Sequence, residues 1–195
     1  TRPDWCISRQ RSWGVPLPIF IDKKTNEPLR DPEVIENIAK IYEKEGSDCW
    51  FHDDPQRFLG KKYNKDNYIK SNDIVEVWFD SGSTHTFVLE KRKDLKWPAS
   101  MYLEGSDQHR GWFHSSLLES CGTRGRAPFE SILSHGFVVD GKGMKMSKSA
   151  GNIISPEDIL KKYGADILRL WVASSDYAED LRIDHTILEQ HAESY

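Results

Sequence analysis

The feature that most constrains the fold is a strand, helix and strand pattern between residues 100 and 139. Residues 100–103 form a short candidate strand, a helix is predicted over 107–121 with Gly122 past its end, and 132–139 form a second strand. Short links between such elements are typical of a βαβ unit, whose two strands are parallel. The sequence therefore predicts an α/β fold on a parallel sheet, with ligands beyond the carboxyl ends of the strands.

Local signals predict further elements on both sides of this unit. Residues 74–79 are β-branched and aromatic and predict a strand. Asp31-Pro32 and Ser155-Pro156 each combine a capping side chain with a proline at the first helical position, so each predicts a helix start. Gly164 breaks the second of these helices, and Asp184 is expected to cap a final one.

Composition divides the chain into four segments. Residues 1–20, rich in Trp and Arg, begin the main domain, and the polar, lysine-rich residues 21–73 are interpreted as a small α+β insertion. Residues 74–152 carry the α/β unit and a lysine-rich loop, and 153–195 form a helical tail. The apolar faces of this tail have little left in the chain to cover them, and the chain begins without Met, so we expect an excised piece of a longer protein.

Charge and cysteine content narrow the class of protein. The net charge is −4, so any contact with nucleic acid is expected to be local. The three cysteines lie far apart and predict neither a disulfide framework nor a zinc site. No apolar run reaches the roughly 18 residues of a membrane-spanning helix, and the N-terminus is not a signal peptide, so a cytoplasmic protein without membrane contact is expected.

The most specific motif is the loop Lys145-Met146-Ser147-Lys148-Ser149, which lies between Gly143 and Gly151. Two ammonium groups and two hydroxyl groups on a glycine-flanked loop suit a substrate that develops negative charge on phosphate oxygens. The Gly-Lys step of a P-loop is absent, because Met146 precedes Ser147-Lys148. The motif therefore predicts nucleotide chemistry without a Walker fold.

A second group of polar residues follows the first strand of the βαβ unit. Glu104, Asp107 and Gln108 lie where carboxylates can hold an ammonium group, and Gly105 permits close approach to the backbone; Asp107 is also expected to cap the helix. Trp78 and Trp112 either line an apolar pocket or belong to the core. His135 either donates to a nucleotide or is structural.

Four motifs together resemble one family: Trp5–Gly14, Val77–Ser83, Tyr102–Phe113 and Lys145–Ser149. They are similar to the bacterial-type, isoleucine-activating branch of the class I aminoacyl-tRNA synthetases. The resemblance covers nearly the whole chain and is weakest over 21–72. It implies the second half of a Rossmann-like catalytic domain, with 21–73 similar to a connective peptide and 153–195 leading to an anticodon-binding domain.

The resemblance also implies substrates and residue roles. The substrates would be L-isoleucine, ATP with Mg²⁺ and tRNA(Ile), and the full-length protein would be a monomer. Lys148, assisted by Lys145, would contact ATP as the catalytic pair. Adenylate and side-chain binding would involve the remaining candidates, Glu104, Gly105, Asp107, Gln108, His135, Trp78 and Trp112.

One signature of the family is absent from these 195 residues. No His-x-Gly-His run occurs in the chain, so we expect the piece alone to be inactive, because the loop lysines lack the histidines that would oppose them. Two alternatives stay open from the sequence: a sibling synthetase for valine or leucine, and a non-catalytic nucleotide- or RNA-binding relic of a synthetase.

Overall fold

The chain divides after Thr84 into an N-terminal unit, Thr1–Thr84, and a C-terminal unit, His85–Tyr195, in the computed structural model. The structure describes residues 3–195. Thr1 and Arg2, the first residues of the predicted segment 1–20, lie outside the described residues.

Short antiparallel strand pairs, four α-helices and a 3-10 helix over Lys65–Asn67 form the N-terminal unit over the described residues. Strand β1 pairs with β4, and β2 pairs with β3. The strands are β1 Ser8–Arg9, β2 Phe20–Asp22, β3 Tyr68–Lys70 and β4 Ile74–Val75, and the helices are α1 Pro32–Glu45, α2 Cys49–His52, α3 Pro55–Leu59 and α4 Val77–Gly82. The Asp31 carboxylate accepts from Glu33 N at 2.9 Å at the start of α1, which confirms the predicted cap.

A cluster rich in aromatic rings forms the core of the N-terminal unit. The Trp50 indole is fully buried, with its ring centroid 5.0 Å from that of Phe20 and 4.9 Å from that of Phe58. Its Nε1–H donates to Ser71 O at 2.8 Å, so the buried indole loses no hydrogen bond. We call this core the N-terminal cluster; its buried members are Phe20, Val34, Ile38, Trp50, Phe58 and Leu59.

The strand predicted over 74–79 is wrong beyond its first two residues. Strand β4 stops at Val75, and α4 begins at Val77. The Glu76 carboxylate accepts a hydrogen bond from Trp78 N at 3.0 Å and so caps the first turn of this helix. A local cap thus overrides the β-branched and aromatic composition of the segment.

Two parallel strand pairs organise the C-terminal unit. Strand β5 pairs with β6 from Tyr102↔Ile132 to Gly105↔His135, and β7 pairs with β8. The strands are β5 Tyr102–Gly105, β6 Ile132–His135, β7 Val138–Asp140 and β8 Leu181–Ile183, and the helices are α5 Trp112–Arg124, α6 Pro156–Tyr163, α7 Ala165–Ser174 and α8 His185–Ser194. A π-helical turn covers His85–Leu89. The parallel pairing confirms the predicted α/β class.

The helix of the βαβ unit differs in detail from its prediction. Residues Ser106–Arg110 form a 3-10 helix, and α5 begins only after Gly111. Gly122 lies inside α5, which ends at Gly125 in a left-handed conformation. The strand predicted over 132–139 is likewise two strands, because the chain leaves β6 at Gly136 and enters β7 at Val138.

The tail beyond residue 153 forms a core of its own, while Leu160, Leu170 and Val172 on its helices stay exposed, in keeping with the expectation of partly uncovered helical faces. Ser155 caps α6 and Asp184 caps α8, as predicted. Strand β8, which was not predicted, lies between α7 and α8. The resulting core is the C-terminal cluster, whose buried members are Ile159, Ile167, Trp171, Ile183 and Leu188. Over residues 3–195, no helix combines the length and the apolar character needed to cross a bilayer.

Candidate functional site

Strands β5 and β6 end together at one edge of the parallel pair. Gly105 and His135 are partners in the register, so the two polar segments that follow the strands begin side by side. A Cβ atom at Gly105 would lie 3.6 Å from His135 Cε1 and 2.7 Å from Asp107 Oδ1. Any larger residue here would displace the Asp107 carboxylate, whereas the contact with His135 is an ordinary van der Waals distance. The structure therefore brings Glu104, Asp107 and His135 to one sheet edge.

The polar side chains of this edge differ in what they do locally. Glu104 and Asp107 are exposed to solvent. The sequence predicted that Asp107 caps the helix, and this prediction is wrong. The Asp107 carboxylate instead accepts a hydrogen bond from Gln108 Nε2 at 3.0 Å. The cap is Gln108 instead, whose Oε1 accepts from Trp112 N at 2.8 Å at the start of α5. Gln108 thus holds Trp112 and orients Asp107.

The two candidate pocket tryptophans belong to different units. Trp112 lies against Tyr102, with ring centroids 4.1 Å apart and planes within 4° of parallel. Trp78 lies in α4 of the N-terminal unit rather than in a strand, and 44% of its surface is exposed. A shared role for Trp78 and Trp112 in binding a side chain stays a prediction.

The junction between β6 and β7 is fixed by the segment that precedes β8. His135 Nδ1 lies 2.8 Å from Gly136 O, and Gly136 N donates to Tyr177 O at 2.9 Å. Phe137 N donates to the Asp180 carboxylate at 2.7 Å. The two backbone amides that follow His135 are therefore both held by the 177–180 segment.

A cavity of about 440 Å³ lies next to this junction in the C-terminal unit. Its lining is apolar apart from His135 and the Tyr177 side chain, and it includes Leu103, Leu133, Val138, Trp171, Val172 and Leu181. A cavity of this size and lining suits a ring system or an apolar side chain.

The lysine loop, residues 141–151, follows β7. Gly143 N donates to Asp140 O at 2.8 Å, which closes a turn at the start of the loop. Gly143 has a φ of 81°, in the left-handed region that favours glycine. Met146 is partly buried and packs against the C-terminal cluster, whereas Lys145 and Lys148 are exposed. The loop is thus anchored by one apolar side chain and presents an ammonium group on each side of it.

Local hydrogen bonds shape the second half of the lysine loop. Ser147 Oγ accepts from Ala150 N at 3.2 Å and lies 3.2 Å from Ser149 Oγ. Gly151 N donates to Lys148 O at 3.2 Å. These contacts form a tight turn that holds Lys148 outward, where a phosphate group can approach it.

Sequence reasoning missed two residues at the ends of this loop, Asp140 and Asn152. Their side chains hydrogen-bond to each other and to the loop backbone. The available signal was an acidic residue before a Gly-x-Gly turn and an amide residue directly after Gly151. Over residues 3–195, no group of three or more His, Cys, Asp or Glu side chains is placed to hold a metal ion.

This fold and loop define a class of protein. The family model for class I tRNA synthetases (I, L, M and V) matches residues 1–184, and the chain belongs to this family. All 195 residues are 82% identical to the isoleucine–tRNA ligase of Pelagibacter ubique and 57% identical to that of Brucella abortus. The chain spans 22% and 20% of these two relatives, about a fifth of their length.

Solved structures share the fold at lower identity. The LeuRS of Agrobacterium radiobacter, solved as a ternary complex with tRNA and LeuAMS, is 21% identical and superposes with a TM-score of 0.68 over 97% of this chain and 26% of that chain. The methionyl-tRNA synthetase of Mycobacterium tuberculosis, solved with methionyl-adenylate, is 22% identical with a TM-score of 0.53 over 63% of this chain and 25% of that chain. At these identities the likeness shows the fold alone.

Proposed function

We propose that this chain is part of an isoleucine–tRNA ligase, which activates L-isoleucine with ATP and transfers it to tRNA(Ile) in the cytoplasm. The observation that carries the proposal is the lysine loop, where Lys145 and Lys148 are exposed on either side of the anchored Met146. The similarity to isoleucine–tRNA ligases supports isoleucine as the amino acid and disfavours a valine or leucine sibling.

Activation requires attack of the isoleucine carboxylate on the α-phosphate of ATP, with pyrophosphate as the leaving group. Negative charge grows on the oxygens of the departing pyrophosphate, and Lys148, assisted by Lys145, is the group we expect to stabilise it. The protein contributes positioning and charge rather than a covalent intermediate. Mg²⁺ enters with ATP as part of the substrate and neutralises the phosphates.

Isoleucine itself is expected at the edge formed by β5 and β6. An exposed carboxylate at Glu104 suits the ammonium group of an amino acid or of its adenylate, and Gly105 leaves the backbone open to close approach. Asp107 and Gln108 flank this position, His135 lies beside it in the register, and Trp78 and Trp112 are the candidates for the apolar side chain.

Isoleucine-dependent exchange of pyrophosphate into ATP tests this function in the complete protein that carries this sequence. We expect isoleucine, and not leucine, to support exchange. Glu104→Gln should raise the KM for isoleucine about tenfold to hundredfold, because a hydrogen bond to a charged group is lost, while the KM for ATP changes little. Glu130→Gln, an exposed carboxylate paired with Arg126, is the control and should leave both constants unchanged. Exchange driven equally by leucine, or an unchanged KM in Glu104→Gln, would contradict the proposal.

A further inference from the structure

The two ends of the lysine loop are joined by a pair of side chains. Asp140 is the last residue of β7, and Asn152 directly follows the loop. Asn152 Nδ2 donates to Asp140 Oδ2 at 2.8 Å and also approaches Lys145 O at 3.2 Å. This contact closes a ring of 13 residues, counted from 140 to 152, around both lysines.

Each partner of this pair also binds backbone inside the loop. Asp140 Oδ1 accepts from Lys142 N at 3.0 Å and from Met144 N at 2.8 Å. Asn152 Oδ1 accepts from Ser147 N at 2.9 Å, in the middle of the lysine motif. The amide of Asn152 and the backbone of Met144 lower the pKa of the Asp140 carboxyl, which keeps it a charged acceptor.

From this geometry we propose that Asp140 and Asn152 are positioning residues that fix the spacing and direction of Lys145 and Lys148 toward the phosphates of ATP. The proposal rests on the proposed function, since it assigns the pair to the same activation step. Neither side chain is expected to touch ATP. They act through the backbone at residues 142, 144, 145 and 147, which they hold in one arrangement.

The hydrogen bond between the two side chains has a fixed donor and a fixed acceptor, so exchanging the two residues tests the proposal. Asp140 offers only acceptors, whereas Asn152 donates through Nδ2 and accepts through Oδ1. In D140N/N152D, the amide introduced at 140 can donate to the carboxylate introduced at 152. The remaining oxygen at each position can still accept from the backbone, so the ring closes again with the same net charge, and only the longer donation to Lys145 O, 3.2 Å in the unaltered pair, is not restored.

Pyrophosphate exchange by the complete protein gives the first readout. D140N places two amides face to face, and N152D places two carboxylates face to face; we expect each to lower kcat about tenfold to hundredfold and to raise the KM for ATP, without changing the KM for isoleucine. D140N/N152D should return both constants to within about threefold of the unaltered protein. Two unaffected single variants, or an exchanged pair no better than the worse single variant, would overturn the proposal.

Limited trypsin digestion gives a second readout that does not need activity. In the complete protein, D140N and N152D should speed cleavage after Lys145 and Lys148, and D140N/N152D should restore the original rate. Cleavage after the exposed Lys24, in a turn of the N-terminal unit, is the reference that corrects for general unfolding. Loop cleavage that rises no more than cleavage after Lys24 would overturn the proposal. If the unaltered protein shows no exchange, the proposed function fails, and the cleavage ratio alone decides the role of the pair.

Discussion

The two hydrophobic clusters of this chain differ in what they support. The N-terminal cluster is built around the buried Trp50 and includes none of the predicted site residues among its described members. The C-terminal cluster is mainly aliphatic, and Met146, which lies between the two lysines of the loop, packs against it. The comparison teaches that one core stabilises its own unit, whereas the other also anchors the lysine loop through Met146.

The two clusters also show that the family resemblance is not strongest where the side chains are most buried. The resemblance is weakest over 21–72, yet the buried members of the N-terminal cluster lie almost entirely within those residues. The strongest motifs lie where side chains are exposed, at Glu104 and at Lys145 and Lys148. Residues proposed to bind substrates must stay accessible, so Glu104 is exposed although Tyr102 and Phe113 of the same motif are buried.

Truncation of the aromatic centre should produce the largest change in stability. Trp50→Ala removes the fully buried indole and its hydrogen bond to Ser71, and we expect a loss of about 3–5 kcal/mol in the free energy of unfolding. Trp13→Ala is the matched control, because 89% of that residue is exposed, and it should change the free energy by less than about 0.5 kcal/mol. Urea titration measures the free energy of unfolding of both variants. Equal losses in the two variants would contradict the description of Trp50 as the centre of the N-terminal cluster.

A substitution that creates a cavity in the C-terminal cluster should also loosen the lysine loop. Ile159→Ala empties a site that is 1% exposed and should cost about 2–5 kcal/mol in the free energy of unfolding, with faster trypsin cleavage after Lys148. Leu160→Ala, at the neighbouring position that is 45% exposed, is the control for both measurements. The contrast between the clusters fails if Trp50→Ala accelerates loop cleavage as much as Ile159→Ala does.

The junction after β6 should not tolerate a methyl group. A Cβ at Gly136 would lie 2.3 Å from the Glu179 carbonyl oxygen, so Gly136→Ala must displace backbone and should destabilise by about 1–3 kcal/mol. Gly122→Ala is the opposite case, because Gly122 lies inside α5 with open space around it, and it should stabilise by about 0.5–1 kcal/mol. Thermal unfolding of both variants distinguishes them by sign. A stabilised Gly136→Ala would show that the junction is not packed as described.

The N-terminal unit should carry a pH dependence of its own through Asp31. Lys62, Tyr63 and Glu33 N lower the pKa of this carboxyl to about 2. Because the folded pKa lies below the unfolded value, the carboxylate stabilises the protein above about pH 4, and this stabilisation is lost as the pH falls toward about 2. The urea midpoint of the unaltered protein should therefore fall more steeply between these pH values than that of Asp31→Asn.

Two further observations complete that test. The curves of the unaltered protein and of Asp31→Asn should stop changing relative to each other only below about pH 2, where the carboxyl becomes protonated in the folded as well as in the unfolded state. Lys62→Met, which removes the first of the three partners, should give an intermediate slope. Parallel curves for the unaltered protein and Asp31→Asn would show that the carboxylate does not stabilise this unit.

Local signals explain which parts of the fold were predictable. Asp31, Ser155 and Asp184 cap their helices through hydrogen bonds to amides two or three residues away, so adjacent sequence suffices to predict them. The same locality explains an error, because the Glu76 carboxylate starts a helix inside a segment whose composition favours a strand. Strand β8 has only three residues and depends on its partner β7, which no local pattern reveals.

The candidate site residues could be named from the sequence, but the contacts that hold them in place could not. The register of β5 and β6 places His135 beside Gly105, a pairing that the single strand predicted over 132–139 did not specify. The contact between Asp140 and Asn152 joins residues 12 positions apart and exists only once the loop has closed. The role of Gln108 as the cap of α5 likewise follows from the turn at Gly111, which the sequence alone did not define.

The central claim is that the lysine loop directs specific ammonium groups at the phosphates of ATP. Lys148→Ala and Lys142→Ala each remove one exposed lysine from the same loop, so net charge and local composition change equally. In isoleucine-dependent pyrophosphate exchange by the complete protein, Lys148→Ala should lower kcat about a hundredfold or more, and Lys142→Ala should stay within about threefold of the unaltered protein. Equal losses in the two variants, or full activity of Lys148→Ala, would contradict the account.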